Sequence, residues 1–337
     1  MRAVLVKDGR GPIENLYIGE AEKPVPGPGQ VLVKVKFFGL NRMDLMQREG
    51  KYPLPPGVSI PEILGVEFSG HVEQAGEGVS EWVPGDEVLG LTAGGAYAEY
   101  VVAPRGNIAK KPAHLSWAEA ASVPEVMLTA FQALVVIAEV KQGDNVLVHA
   151  GASGVGIAAI QLARLYGART VTATASSKDK LDMLLQLPSG ATHAVNYREQ
   201  DFAEEVKRIT GGKGVDVIID FVAQSHWKQN INSLAYDGRM TMLALLSGTE
   251  VSKFDLAPIV FKRLRIQGSQ LRARSVEYQA DLVSRFEREV LDHITGAAGD
   301  GKVRVYIHEI YPWTKIQEAH REMEANKNSG KIVVEIV

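Results

Sequence analysis

Cysteine is missing from all 337 residues of the sequence. That absence excludes disulfides, thiolate-ligated zinc and a cysteine nucleophile together. Histidine is present but dispersed: the eight residues from His71 to His320 show no H-x-x-x-H or H-E-x-x-H spacing, so no metal site is expected. No apolar run approaches the ~20 residues that cross a bilayer. Met1-Arg2-Ala3-Val4-Leu5 passes straight into strand-like sequence without a cleavable signal, and a cytoplasmic protein is expected. A formal charge of -3 supplies no basic surface, so nucleic acid is not expected as a partner.

What the sequence does contain is organised around Asn145 to Gly167, NVLVHAGASGVGIAAIQLARLYG. Val146, Leu147 and Val148 form an apolar run too short for a helix and bounded by Gly143 and Gly151, which predicts a buried strand. From Val155 to Leu165 the apolar residues fall at helical spacing until Gly167 stops the run. Between strand and helix lies Gly151-Ala152-Ser153-Gly154-Val155-Gly156, a variant of G-x-G-x-x-G with Ser153 at the middle glycine. A turn without bulky side chains lets backbone N–H groups and the positive helix end approach a pyrophosphate. In this strand–turn–helix context the hexapeptide predicts a dinucleotide site.

The length calls for roughly two domains. Short β-branched runs dominate the first third: Ala3 to Lys7, Gln30 to Phe38, Ser69 to Gln74, Glu87 to Leu91 and Tyr97 to Val102, punctuated by Gly and Pro. A compact β-rich domain is expected there. A helical pattern runs from Glu119 through Ala138, with Pro124 marking the crossing into the second domain. Strands and helices then alternate at about 30 residues per unit, the pattern of a doubly wound parallel sheet. Its six strands are expected at Asn145 to His149, Thr170 to Thr174, His193 to Asn196, Val215 to Asp220, Arg239 to Leu245 and Leu264 to Gly268. A helix at Val276 to His293, a glycine-rich connection at Thr295 to Lys302, a further strand, a helix near Lys315 to Asn326 and a strand at Lys331 to Ile336 return to the first domain. The predicted division is 1–123 with 271–337, and 124–270. The sixth sheet strand would be an edge, and pairing two such edges predicts a homodimer.

An NAD-binding unit places a ribose-gripping acid about 20 residues past the glycine turn. Here Thr174-Ala175-Ser176-Ser177-Lys178-Asp179-Lys180 has no acid at the strand tip; hydroxyls and two lysines suit a 2′-phosphate, and so NADPH. Ser177 equally suits the N-cap of a following helix, with Asp179 in its first turn. Tyr197, just past the third strand, is placed to flank the same phosphate.

Seven stretches together, GPIENLYIGE, GLNRMDLMQREGKYPLPPG, LGVEFSGHVEQAG, SVPEVMLTAFQAL, HAGASGVGIAAIQLARL, INSLAYDGRM and IYPWTKIQEAHREMEANKNSGKIVVEI, span nearly the whole chain. In number and order they resemble the medium-chain dehydrogenase/reductase superfamily, within it the zinc-free quinone oxidoreductases related to zeta-crystallin, and especially the tumour-suppressor-inducible branch. The resemblance implies an α/β protein: a GroES-like β-rich catalytic domain and a doubly wound parallel-sheet (Rossmann) domain that binds NADPH. Zinc-dependent relatives carry G-H-E-x-x-G where this chain has Gly65-Val66-Glu67-Phe68-Ser69-Gly70, so Val66 stands at the ligand histidine. By resemblance Asn41, Asp44 and Tyr52 line the nicotinamide end of the cleft between the domains, with Thr129 at the start of the second domain. Tyr52 is assigned to the quinone oxygen and Asn41 to positioning, while Asp44 organises the Asn41-Arg42 turn. Asn41 also suits the cap of a helix Met43 to Arg48. Gly151, Ala152, Ser153, Gly154 and Val155 would hold the pyrophosphate, and Ser177, Lys180 and Tyr197 the 2′-phosphate. Lys178 remains a candidate because Pro188-Ser189-Gly190 lengthens the following segment. Carboxamide and ribose contacts carry over to Phe221, Val222, Leu245, Ser269, Gln270 and Lys331. Two departures stand out: Ala223-Gln224 replaces paired glycines, and Ala244-Leu245-Leu246-Ser247 replaces small residues.

Without a cation to stabilise an alkoxide, alcohol oxidation is disfavoured and an electron-poor acceptor fits better. The expected activity is NADPH-dependent quinone reduction. Reduction of an enone or alkenal double bond is the alternative with the same cofactor geometry. An NADPH-binding protein of low turnover, including one that binds RNA as zeta-crystallin relatives do, is a third; the acidic balance speaks against it.

Overall fold

A computed structural model describes residues 1–54, 59–296, 299 and 301–337. Part of the quoted stretch through Gly57 and three residues of the expected Thr295–Lys302 connection (Ala297, Ala298 and Asp300) lie outside the described residues. The chain divides into one unit of Met1–Leu128, Leu271–Asp300 and Val305–Val337, and a second of Thr129–Gln270 and Gly301–Arg304.

The first unit begins with β1 (Arg2–Val6), β2 (Leu16–Glu20), β3 (Gln30–Leu40), α1 (Arg42–Arg48), β4 (Glu67–Ala75), β5 (Glu87–Leu91), β6 (Tyr100–Pro104), β7 (Ile108–Lys110) and α2 (Trp117–Ala121). Helix α3 (Pro124–Phe131) carries the division between the units. The second unit contains β8 (Asn145–Val148), α4 (Gly154–Leu165), β9 (Thr170–Ala175), α5 (Lys178–Gln186), β10 (His193–Asn196), α6 (Phe202–Ile209), β11 (Val215–Asp220), α7 (Trp227–Ser233), β12 (Leu234–Met242), α8 (Ala257–Phe261) and β13 (Arg265–Gly268). The chain then returns to the first unit through α9 (Val276–Glu289), β14 (Ile307–Pro312), α10 (Ile316–Glu324) and β15 (Lys331–Glu335).

In the first unit the main sheet runs β14-β15-β3-β4-β5-β7, with β6 also on β3. Its pairs are antiparallel except β14 with β15. The core is apolar: Val33, Phe38, Leu40, Phe68, Val88, Trp313, Ile332 and Val334 are all fully buried. In the second unit six strands lie in the order β10-β9-β8-β11-β12-β13, all parallel. The order reverses at β8, where ligands of open parallel sheets bind beyond the strands' carboxyl ends. Val146, Leu147 and Val148 are buried completely, as a central parallel strand covered on both faces requires.

Several elements differ from the sequence pattern. The expected continuous helix from Glu119 to Ala138 is three pieces: α2, α3 and a widened π turn over Gln132–Ile137. Pro124 disfavours helical backbone at the residue before it and has no N–H to continue the ladder, so α2 closes at Ser122. In the π segment the Ala138 N–H reaches back five residues to Ala133 O at 3.0 Å. The fifth sheet strand begins at Leu234 instead of Arg239 and ends at Met242, because parallel pairing to β11 continues through a bulge across Tyr236-Asp237-Gly238. Tyr97 lies outside its expected strand; its N–H bonds to Leu64 O at 3.0 Å and its ring is buried. The long helix ends at Glu289, short of His293, and β2 and β7 have no counterpart among the expected strands.

Candidate active site and nucleotide-binding turn

The glycine turn leaves β8 through Ala150, which holds the left-handed conformation at φ 47° despite its Cβ. The Gly151 N–H donates to Thr174 O at 2.9 Å and ties the turn to β9. Ser153 caps α4, its Oγ accepting from the Gly156 N–H at 3.0 Å; the hydroxyl hydrogen stays free to be donated. First-turn N–H groups at Gly154 and Val155 have no carbonyl of their own helix within reach. A Cβ on Gly156 would sit 2.4 Å from the backbone Ala150 O, so that position accepts no side chain, while one on Gly151 would sit 2.9 Å from Leu184 Cδ1 and require the leucine to shift. Ala152 is buried between them. The result is a positive, side-chain-free cradle suited to a pyrophosphate.

Ser177 and Tyr197 follow neighbouring strand ends, for Ala175 of β9 pairs with Asn196 of β10. The Tyr197 N–H donates to Ala175 O at 3.3 Å, and the tyrosine ring meets His226 edge-on with centroids 5.5 Å apart. Ser177 is the N-cap of α5, yet its side chain caps no helix N–H. The Lys178 ammonium is paired along the helix with Asp182. Burial lowers the Lys180 pKa below the usual lysine value.

Beyond β11, the Asp220 carboxylate accepts from the Val222 N–H at 2.9 Å and the Ala223 N–H at 3.1 Å. This grip holds Ala223 at φ 67°, so the left-handed turn survives the replacement of glycine. The segment after β12 lies against it: the Leu246 N–H bonds to Phe221 O at 3.1 Å and Ser247 Oγ to Val222 O at 2.7 Å. Leu245 points outward, 52% exposed. At the end of β13 the Ser269 N–H bonds to Met242 O, while its buried Oγ has no partner among the described residues. Gln270 follows and closes the unit. The cradle and this orphaned hydroxyl fit a dinucleotide.

A second constellation is built on the first unit. The three Lys331 N–H donors go to Leu40 O at 2.8 Å, Asn41 Oδ1 at 2.7 Å and Glu67 Oε1 at 2.5 Å. Asn41 Nδ2 donates to the same Glu67 oxygen at 2.8 Å, and Glu67 Oε2 accepts the Glu125 N–H at 2.8 Å. Glu67 is wholly buried, a cost met by these charge-assisted bonds. Lys331 therefore has all three donors engaged within this cluster. Asp44 accepts from the Asn41 N–H at 2.8 Å and the Tyr97 hydroxyl at 3.2 Å, locking the start of α1. Burial raises its pKa to about 6. Burial and then the Glu67 charge raise Glu125 to about 7. Thr129 lies one turn further along α3. Tyr52 stacks under the Arg272 guanidinium, whose carbon is 4.9 Å from the ring centroid; burial raises the tyrosine pKa, so the hydroxyl keeps its proton at neutral pH.

Glu67, Glu125, Tyr97, His320 and Arg272 carry this cluster, and sequence reasoning named none of them as site residues. Only Glu67 had a signal, its place in Gly65-Val66-Glu67; the others are identified by burial and long-range partners. Behind Tyr97, its hydroxyl contacts His320 Nε2 at 3.4 Å, and His320 Nδ1 lies 3.1 Å from Arg48 Nη1. Burial, and then Arg48, depress His320 to about 3, so it is neutral and Nδ1 accepts from the guanidinium.

Comparison with known proteins matches residues 27–113 to the alcohol dehydrogenase GroES-like domain and residues 154–288 to the zinc-binding dehydrogenase family. The synaptic vesicle membrane protein VAT-1 homolog of Rattus norvegicus is 33% identical over 93% of this chain and 78% of its own length. The quinone oxidoreductase of Sus scrofa is 31% identical over 99% of this chain and 97% of its own. The chain belongs to the medium-chain dehydrogenase/reductase superfamily. Its GroES-like and Rossmann units are those of the superfamily's oxidoreductases. Among solved structures, an NAD-dependent alcohol dehydrogenase is 35% identical with a TM-score of 0.84, each chain covered completely. A mycobacterial protein complexed with NADPH is 31% identical with a TM-score of 0.85, again with complete coverage of both. The CurK enoyl reductase is 29% identical with a TM-score of 0.85, covering 100% of this chain and 99% of that one. Where zinc-dependent members of the superfamily carry histidine, this one has Val66, and its neighbour Glu67 meets an ammonium. No group of three His, Asp or Glu side chains is arranged to hold a metal among the described residues.

Proposed function

We propose that this protein reduces quinones with NADPH and without a metal ion. The observation that carries the reading is the buried Lys331–Glu67 pair at 2.5 Å, which puts a fixed ammonium beside Asn41. Similarity to a quinone oxidoreductase over almost the whole of both chains supports the acceptor class. When bound, the cofactor supplies a hydride from nicotinamide C4. Backbone N–H groups from Gly151 to Val155 hold its pyrophosphate. Ser177 and Tyr197 hold the 2′-phosphate together with Lys180 or Lys178, the latter paired at the surface with Asp182. Phe221, Val222, Leu245, Ser269 and Gln270 shape the nicotinamide and ribose end. Lys331 and Glu67 fix the Asn41 amide, Asp44 fixes the turn that bears it, and Tyr52 donates its retained proton to the acceptor oxygen.

Steady-state rates with 1,4-benzoquinone test this. NADPH is expected to exceed NADH by about tenfold or more in kcat/KM, a difference of ~1.4 kcal/mol or more, with no loss on chelation. Equal rates, or zinc stripped by a chelator together with activity, would refute it. Similarity to an enoyl reductase favours one second reading, alkenal reduction, which a higher kcat/KM for an alkenal than for benzoquinone would establish. The edge strand β13 and the exposed Val260 and Phe261 of α8 support a homodimer joined through this side of the second unit.

A further inference from the structure

Arg272 is the first residue after Leu271 on the chain's return to the first unit, and the quinone-reduction reading gives it no task. Its guanidinium is held at two nitrogens. Nε and Nη2 donate to Ala93 O at 2.8 and 2.5 Å, and Nη2 also donates to Gln47 Oε1 at 2.8 Å. Nη1 is buried and has no hydrogen-bond partner among the described residues. The guanidinium lies over the Tyr52 ring, and its positive charge acts on the carboxyls of Asp44 and Glu125. A buried donor on a charged group, left without an acceptor, is costly unless a ligand supplies one. The rest of the fork is tethered, so the direction of Nη1 is set before any ligand arrives.

We propose that Arg272 Nη1 is the donor that receives the acceptor's carbonyl oxygen, with the Tyr52 ring as the floor on which the guanidinium rests. This rests on the reading of the protein as a nicotinamide-dependent carbonyl or quinone reductase. In that reaction the C4–H bond of the reduced nicotinamide would break, and its hydride, with the electron pair, would bond to the far oxygen of a quinone or to the β-carbon of an enone. The carbonyl π bond breaks and its electrons collect on oxygen, and one proton, passed through Tyr52 from solvent, completes the O–H bond. NADPH is oxidised and the quinone reduced by two electrons. A fixed N–H aimed at the oxygen where charge develops acts more strongly in the transition state than in the ground state.

Full-length protein carrying Arg272→Gln, Arg272→Lys, Arg272→Ala or Gln47→Ala tests this with 1,4-benzoquinone and NADPH. Arg272→Gln is expected to lower kcat/KM by about 10²-fold, mostly in kcat. Arg272→Lys, which keeps charge but not the fork, is expected to lose about tenfold. NADPH binding, followed by its fluorescence, is expected to stay unchanged in both. Arg272→Ala should recover activity with millimolar guanidinium chloride. Gln47→Ala removes one tether while leaving Nη1 and the two bonds to Ala93 O, and is expected to lose less kcat/KM than Arg272→Gln. A loss in Gln47→Ala equal to that in Arg272→Gln, absence of guanidinium rescue, or an Arg272→Gln enzyme within about threefold of the parent would overturn the inference alone. If the parent binds NADPH but reduces only alkenals, the quinone reading fails and the same variants are read on the alkenal, whose carbonyl makes the same demand. A parent inert on both overturns the two together.

Discussion

Glutamine at position 125 is a direct probe of the buried acid cluster. Glu125 is only 7% exposed, and burial followed by repulsion from Glu67 raises its pKa from 4.5 to about 7. A carboxyl whose folded pKa exceeds its unfolded value gives its full contribution below the unfolded pKa and loses it as pH rises through the folded one. Each pKa unit is worth about 1.4 kcal/mol, so raising the pH from below 4.5 to above 7 costs the parent roughly 3 kcal/mol at this site. Glu125→Gln has no proton to release and escapes that cost. Its stability relative to the parent should therefore climb by about 3 kcal/mol between about pH 4.5 and about pH 8.5. His149 and His226, held near 4, and His320, near 3, act in the opposite sense, their stabilisation disappearing as pH falls. They are common to both proteins and cancel in the difference. Urea unfolding at a series of pH values, followed by the fluorescence of Trp82, Trp117 and Trp313 in the first unit, measures the effect. A stability difference that stays flat with pH would show that Glu125 ionises as an ordinary surface carboxylate, and one that falls as pH rises would show its pKa lowered instead of raised; either refutes the reasoning.

Replacing Ser177 with aspartate places a carboxylate at the strand tip and should reverse the cofactor preference, lowering kcat/KM for NADPH by about tenfold or more while improving NADH; an unchanged ratio would remove Ser177 from the phosphate site. Tyr52→Phe should cost about one to two powers of ten in kcat at an unchanged NADPH affinity, and an unchanged rate would leave Tyr52 as a wall. Phe261→Glu, on a helix where the phenyl ring is 73% exposed, should convert dimers to monomers in light scattering; intact dimers would locate the interface elsewhere.

The glycine turn and the strands around it are legible because they depend on local chemistry: a short buried strand, a tight turn and an amphipathic helix in immediate succession. Strand ends are less so, because pairing to a neighbour extends a strand beyond its apolar run. Thus β3 continues past Phe38 through Gly39 and Leu40, which pair with Val333 and Ile332 of β15, a partner nearly the whole chain away. The segment after Ser116 reads as one helix even with Pro124 in view, since the apolar pattern continues across the break. Lys331 shows the deeper limit. Its residue type suits a phosphate or a ribose as well as a buried carboxylate, and only the pairing of β15 with β3 sets its ammonium against Glu67. Arg272 and Glu125 are invisible for the same reason, their meaning lying in partners far along the chain.

The Lys331–Asn41 bond joins positions 290 residues apart. Ribosomes work in one direction, so Glu67 emerges long before the cation that neutralises it. Until β15 arrives, closing the first unit would trap a carboxylate with no counter-charge, and the growing polypeptide should keep that corner open and wet. Closure of this buried cluster thus waits until β15 has been translated.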